Sequence, residues 1–419
     1  MRHTGWMVVL LASGALAADL LVDASAPGAY RTLQAALDAA SPGDRILVGA
    51  TDLGTLGMRT TIRKSVTIQS AQAGRAVLVW MLTNGAPMPR LVLEGLTPGI
   101  PLVFRHLEFQ VHPDNSLSPG PLLATSSALP GEVRFEDVQV LWAGGGRPLE
   151  YAITLADLQV TRLVLRQCRF SAGDTASNAG CRDIPDTRGA SALRFTGDTL
   201  VLEDTTLRAG SANFLRKVDC GGVGEYPIGG PGGSALVAAS KFTSLVRTQL
   251  SDGNGGSVQT GSWTLTPGPG PAGQSQLTGP SGTLAAFRVE AEAGLPGALV
   301  PGDPGPLRGE RVNVGAVEAP LVFLGSGRLG STATLLLGPT LNPPLGILLG
   351  FQIGPMPTPF GWFLCDGTQP MLGLMLTAPG TFAFLVPNDP TLIDLLVVAQ
   401  LVEGSPIRAG APAILGIQR

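Results

Sequence analysis

Leu163-Val164-Leu165-Arg166-Gln167-Cys168-Arg169-Phe170 carries apolar side chains at its first, third, sixth and eighth positions. Each half alternates with the two-residue period of a strand that has one covered face. Arg166 and Gln167 break the phase between the halves, so the stretch reads as two short strands meeting at a corner. The same spacing returns as Leu102, Phe104, Leu107, Phe109, as Val133, Phe135, Val138, Val140, and as Leu200, Leu202, Thr205, Leu207. Thr243, Leu245, Thr248, Leu250 is a weaker copy, and Val66, Ile68, Ala71, Ala73 is weaker still. Polar or charged pairs fill the corner: Arg105-His106, Glu136-Asp137, Arg166-Gln167 and Glu203-Asp204. A further segment precedes the later copies, at Ala152-Ile153-Thr154-Leu155, Ser191-Ala192-Leu193-Arg194-Phe195 and Ser234-Ala235-Leu236-Val237-Ala238. Three short strands per repeat predict a parallel β-helix, an all-β fold whose coils contact only their neighbours.

From Leu102 to Thr243 the copies are 31, 30, 37 and 43 residues apart. A three-strand coil needs only about 22. The excess forms loops, the longest at 171–190 and 209–233. Both fall between an eight-residue copy and the next Ser-Ala-Leu segment, so they are expected to leave the same corner of successive coils.

Upstream, Leu33, Ala36, Leu37 and Ala40 fall on one face of a 3.6-residue period, with Thr32 placed to cap the helix and Pro42-Gly43 to end it. Arg45-Ile46-Leu47-Val48 then reads as a strand. The whole opening, Tyr30-Arg31-Thr32-Leu33-Gln34-Ala35-Ala36-Leu37-Asp38-Ala39-Ala40-Ser41-Pro42-Gly43-Asp44-Arg45-Ile46-Leu47-Val48, resembles the start of pectin lyase-like, right-handed parallel β-helix proteins. Ser65-Val66-Thr67-Ile68 and the 163–170 stretch are similar to that family's coil repeats. The resemblance covers residues 28 to about 260. It implies that the helix caps the N-terminal end of the coil. It is specific for fold and not for activity, because that fold hosts lyases, hydrolases, adhesins and inert modules. With degraded coils at 283–330, such as Leu284-Ala285-Ala286-Phe287-Arg288-Val289 and Ala319-Pro320-Leu321-Val322-Phe323-Leu324, the β-helix is expected over residues 28–330.

The 57 Gly and 35 Pro make up 22% of the 419 residues, about twice the usual share, while hydrophobic residues reach 44%. That much turn chemistry excludes a helical bundle, and that much apolar content excludes a disordered chain. A net charge of −3, from 28 basic and 31 acidic residues, gives no electrostatic footprint for nucleic acid. Arg2 and His3 precede the apolar run Trp6 to Ala12, and Ala15-Leu16-Ala17 has the small-x-small form of a signal-peptidase site. Residues 1–17 are therefore expected to be a signal peptide, and the protein to be secreted or displayed on the cell surface. No later run is long enough to span a membrane; the richest, Thr332–Leu349, is broken by Gly338, Pro339, Pro343 and Pro344.

The run Thr266-Pro267-Gly268-Pro269-Gly270-Pro271-Ala272-Gly273 reads as a linker or exposed turn. From Ser331 onward, Thr334–Leu337, Gly346–Leu349, Phe382–Val386 and Asp394–Gln400 read as strands between Pro and Gly turns. They predict a small C-terminal β-sandwich-like domain over 331–419. Val386-Pro387-Asn388-Asp389-Pro390-Thr391-Leu392 and Val397-Val398-Ala399-Gln400-Leu401 resemble C-terminal modules appended to large secreted proteins of environmental bacteria.

Export makes disulfides possible for Cys168, Cys181, Cys220 and Cys365, which can pair in three ways. Cys168 aligns with the inward Thr205 and Thr248 and reads as a core thiol, and Cys365 stands alone in the C-terminal region. Cys181 and Cys220, one on each long loop, are the expected disulfide. No CxxC occurs and only His106 and His112 follow the signal segment, so a zinc site is not expected. No G-x-S-x-G, P-loop, HExxH or EF-hand pattern occurs, and no G-x-G-x-x-G spacing stands in the strand-to-helix context of a dinucleotide-binding fingerprint. The best constellation is the loop pair. Arg182, Asp183, Asp186 and Asp219 are weak catalytic candidates, and Arg188, Lys217, Glu225 and Tyr226 weak substrate-binding candidates. In pectate lyase-like enzymes, which the fold resembles, carboxylates hold calcium and an arginine or lysine removes a sugar proton. No catalytic motif of that family matches position by position, so calcium has no motif of its own and no cofactor is expected. Glu136-Asp137 and Glu203-Asp204 are paired carboxylates of the kind glycoside hydrolysis needs, but their corner positions favour a charged lateral edge that resists aggregation. Aromatic platforms for sugar are few: Trp80, Trp142, Trp263 and Trp362, with Tyr30, Tyr151 and Tyr226. The expected function is a non-catalytic extracellular binding or structural module, directed at a polysaccharide or cell-surface glycan. The alternative is a polysaccharide lyase or glycoside hydrolase acting on an acidic polysaccharide.

Overall fold

A computed structural model of the chain describes residues 17–49, 59–82, 91–113, 121–142, 154–174, 189–212, 232–254 and, with further breaks, most of 258–418. The expected signal segment, 1–17, lies outside the described residues but for Ala17. The dominant element is an 18-stranded, curled sheet, and among the described residues every pairing in it is parallel except one. The exception joins Val289–Glu292 to Arg311–Val314.

The eight-residue copies stack position on position. Leu102 lies beside Val133, Val133 beside Leu163, Leu163 beside Leu200, and Leu200 beside Thr243. Beyond the corner, Phe109 lies beside Val140, Val140 beside Phe170, Phe170 beside Leu207, and Leu207 beside Leu250. Leu284-Ala285-Ala286-Phe287-Arg288-Val289-Glu290-Ala291 continues both columns as another copy in register. The earliest copy departs from the sequence reading. Ile68 does pair with Phe104, but the strand beyond that corner is Ala76–Leu82, with Ala76 beside Leu107. Ala71 and Ala73 instead sit exposed in a longer connection. The third segment aligns as Leu91, Leu123, Ala156, Leu193 and Leu236.

The two-residue corner has one backbone solution, used repeatedly. His106, Asp137, Gln167, Asp204, Arg247 and Arg288 all have φ between 47° and 54°. None is glycine, so each corner accepts the cost of a left-handed residue, about 1–2 kcal/mol, to turn the chain between two strands. The inward side chains form one continuous core. Phe104 and Phe135 stack with centroids 4.8 Å apart, and Phe170 meets Phe135 edge-on at 5.7 Å. Just past the corner, inward Cys168, Thr205 and Thr248 each donate to carbonyl oxygens of their own and the preceding coil. These contacts give each inward hydroxyl or thiol a partner in the core, on carbonyls of which those of Glu203 and Val246 also accept from the Gln167 and Asp204 N–H groups.

The N-terminal helix spans Leu33–Ala39, and the Thr32 hydroxyl accepts from the Ala35 N–H at 3.2 Å. Leu33, Ala36, Leu37 and Ala40 are buried in the same core as the coils.

The remaining strands form smaller, mostly antiparallel sheets. Leu321–Leu324, Thr332–Leu337 and Gly380–Leu385 make one. Met371–Met375, Pro344–Phe351, Leu396–Glu403 and Arg408–Gly416 make another, in that order. Leu321, Leu335 and Leu337 of the first pack on Ile347, Ala399, Leu401 and Ala413 of the second. Leu321–Leu324 thus belongs with these sheets, whereas the sequence reading made it a last coil. An apolar run of four fits either partner, and the antiparallel neighbour Leu335-Leu336-Leu337 covers it here.

Candidate functional site

All ten site residues expected from sequence, namely Cys181, Arg182, Asp183, Asp186, Arg188, Lys217, Asp219, Cys220, Glu225 and Tyr226, lie outside the described residues. The expected disulfide lies there too. Cys168 and Cys365 are free and buried, and burial pushes both thiols up to about 12.

The stems of the two long loops are described, and they stack. Ala172 donates to the Arg208 carbonyl at 2.9 Å, and Ser211 donates to Asp174 Oδ1 at 2.7 Å. Gly210 donates to the Ala190 carbonyl, and Gly233 to that of Gly210. The backbones approach so closely that a Cβ on Gly210 would stand 1.9 Å from the Gly173 carbonyl oxygen. Trp142 closes the lower side, its indole ring against Gly173. Both loops therefore rise from one corner of neighbouring coils.

A polar strip runs up to these stems. Outward residues beyond the corner alternate with the buried column Leu78, Phe109, Val140, Phe170, Leu207 and Leu250. One row is Glu108, Gln139, Arg169, Thr206, Gln249 and Glu290. The next is Gln110, Leu141, Ser171, Arg208, Ser251 and Glu292. All are half-buried or exposed, and rungs repeat at the strand spacing of about 4.8 Å. Gln249, Leu250, Ser251, Glu290 and Glu292 line a shallow depression at one end. These residues were not singled out from sequence, although the signal was present as polar residues in the second half of each copy.

The outward face before the corner is different. Val164, Val201 and Phe242 are buried there against Ile353, Leu364, Cys365, Leu396, Val398 and Ile414 of the C-terminal strands. This covering overturns the reading of the corner carboxylates as a solvated edge. Arg105, Glu136 and Glu203 are all nearly inaccessible to solvent. They form a ladder in register with Arg166: Arg105 Nε to Glu136 Oε2 is 2.8 Å, Arg166 Nε to Glu203 Oε2 is 3.2 Å, and Arg247 Nη2 to Glu203 Oε1 is 2.8 Å. The C-terminal strands grip both ends. Arg105 Nη2 lies 3.0 Å from Asp394 Oδ1, off hydrogen-bond alignment. Ile414 donates to Glu203 Oε1 at 3.2 Å, and its carbonyl accepts from Arg166 Nη2 at 2.6 Å.

The ladder sets its carboxylates in opposite directions. Burial disfavours the Glu136 anion, but Arg105, Arg166 and Arg134 outweigh it and hold the group at about 2. Burial dominates at Glu203 and raises it, with Arg166 and Arg247 offsetting only part. At the next corner position, His106 Nδ1 is 2.8 Å from Asp137 Oδ2, while Arg75 Nη2 is 2.5 Å from Asp137 Oδ1. The His106 Nε2 faces Gln418 Oε1 at 3.4 Å. Glu136 and Glu203, buried and paired with arginines, leave no room for a sugar between them, and they form a seam between the parallel sheet and the antiparallel strands. Among the described residues no three His, Cys, Asp or Glu side chains converge as metal ligands. Comparison of the chain with protein-family models, with curated proteins and with solved structures yields no match.

Proposed function

We propose that the protein is an exported, right-handed parallel β-helix of the pectin lyase-like kind, and that it binds extracellular polysaccharide without transforming it. The reading rests on one observation: the outward rows beyond the corner form a strip, polar at every position but Leu141, that ends at the stacked stems of both long loops. An open strip of amide, hydroxyl, guanidinium and carboxylate groups suits a chain of hydroxyl groups, and Arg169 and Arg208 at its middle suit glycan carboxylates or sulfates. The export signal and the resemblance of the opening segment support the compartment and the handedness. The C-terminal sheets serve this function by covering the other face.

Affinity electrophoresis of the full chain through gels holding neutral and acidic polysaccharides tests it. Retention by an acidic glycan is expected, weakened about tenfold or more in the Arg169→Ala, Arg208→Ala double variant, since one charge-assisted hydrogen bond is worth about 1.5–3 kcal/mol. Absence of retention on every polysaccharide, or retention unchanged by the double substitution, overturns the reading. Release of unsaturated or reducing sugar during the same incubation replaces it with the lyase or hydrolase alternative.

A further inference from the structure

Met371-Leu372-Gly373-Leu374-Met375 reads the same in both directions. It forms the outermost strand of its four-stranded sheet and pairs, among the described residues, only with Pro344–Phe351. Met371 is 40% exposed and Leu372 58% exposed, although adjacent residues of a strand point to opposite faces. The strand is therefore open along its edge and not merely on one side. Natural proteins blunt such edges with lysine, proline, inward charges or bulges. This strand contains none of these. Between Arg328 and Asp389 the sequence has one charged residue, Asp366.

We infer that this edge is a dimer interface, on which a second copy of the chain adds the same strand in antiparallel register about a two-fold axis at Gly373. The palindrome carries the choice of occupant. An isologous contact needs a patch complementary to itself. Antiparallel pairing centred on Gly373 sets Leu372 opposite the partner's Leu374, and Met371 opposite the partner's Met375. Every pair then joins like with like, with no charge to repel or desolvate. Positions 372 and 374, two apart in the strand and in register with Leu349 and Ile347, belong to one face of the sheet. The apolar face of the sheet would thus run on across the axis. Gly373 places no side chain at the point where the two strands cross the symmetry axis. Its backbone does not have positive φ, and a Cβ there would meet nothing closer than Leu348 Cδ2 at 3.8 Å.

That last fact makes the register testable. A cysteine at the symmetry centre faces itself, at the Cα separation of about 4.5–5.5 Å of directly opposed antiparallel residues, within disulfide range of about 4.4–6.8 Å. Gly373→Cys is expected to cross-link into a covalent dimer under mild oxidation, while Met371→Cys, which does not face its own copy, stays largely uncross-linked. Light scattering of the full chain is expected to give twice the monomer mass, and Leu372→Lys to return it to the monomer with an unchanged melting temperature. A monomer at every concentration overturns the inference. So does a dimer that survives Leu372→Lys, or one that Gly373→Cys does not cross-link. Should Leu372→Lys fail to fold, the cysteine pair alone decides.

Discussion

Glu136 and Glu203 occupy equivalent corners two coils apart, yet their surroundings give them opposite pH behaviour. The folded Glu136 titrates near 2, below the unfolded value of about 4.3. Its contribution is therefore present above about pH 4.3 and lost as pH falls toward 2, and in the linkage limit it amounts to about 3 kcal/mol. Glu203 titrates above its ordinary range. Its contribution is present below the unfolded value and is lost as pH rises through the folded one. Urea unfolding of Glu136→Gln and Glu203→Gln at stepped pH checks this. The stability gap between wild type and Glu136→Gln should shrink as pH drops from 5 to 2. The stability of wild type relative to Glu203→Gln should rise as pH drops through the folded Glu203 value toward about 4.3. Slopes of the same sign would show that the ladder does not distinguish the two carboxylates. Both residues were legible in the sequence as corner carboxylates. Their burial was not, because nothing within the repeat records what lies against its outer side.

At the scale of single elements, the helix, the inward columns and the corner spacing follow from local pattern alone. Period-two alternation identifies an inward face whatever the strand packs on, and the phase break marks the turn. Only the weakest copy failed, in its second half, where that signal thinned. Ala71 and Ala73 are small enough to suit a strand or a turn, and the structure uses them in a turn. The loop stems depend on an absent side chain instead. Gly210 sits between Gly173 and Gly253 in a stack where a Cβ on Gly253 would also approach the Gly210 carbonyl oxygen to 1.9 Å. These contacts are with backbone, so no rotamer change relieves them. Gly210→Ala is expected to cost about 1–3 kcal/mol or more. It should also raise hydrogen exchange first at Gly210, Gly233 and Gly253, whose N–H groups bond across the stack. Uniform destabilisation without that local loss would contradict the assignment.

For the whole molecule, the decisive feature is the lid of antiparallel strands over the face before the corner. Removing residues 321–419 would expose Val164, Val201 and Phe242 together and strip Asp394 and Ile414 from the charge ladder. An apolar patch flanked by half-paired buried charges is expected to aggregate. The truncated chain should bind a hydrophobic dye strongly and precipitate at concentrations where the full chain stays in solution. A soluble, dye-negative coil would mean that the lid and coil are independent units. The ladder also explains why Gly416 passes so close: a Cβ there would stand 2.9 Å from Glu136 Oε2 and 3.0 Å from Arg166 Nη1.

The candidate site divides the same way. From sequence alone come the all-β class, the stacking of copies, the left-handed corners' positions and the placement of both long loops on one corner, because each depends on spacing within the chain. Which outward face stays open was decided only by tertiary structure. Val164 and Val201 sit at outward positions that an exposed strand could also carry, as Leu141 shows on the open side. The strands that cover them come from far along the chain, with Ile414 and Glu203 211 residues apart. A contact over that separation leaves no periodicity in either segment. It arises from shape and charge matching between two finished surfaces, and this matching leaves the polar strip beside the two loop stems uncovered by the antiparallel strands.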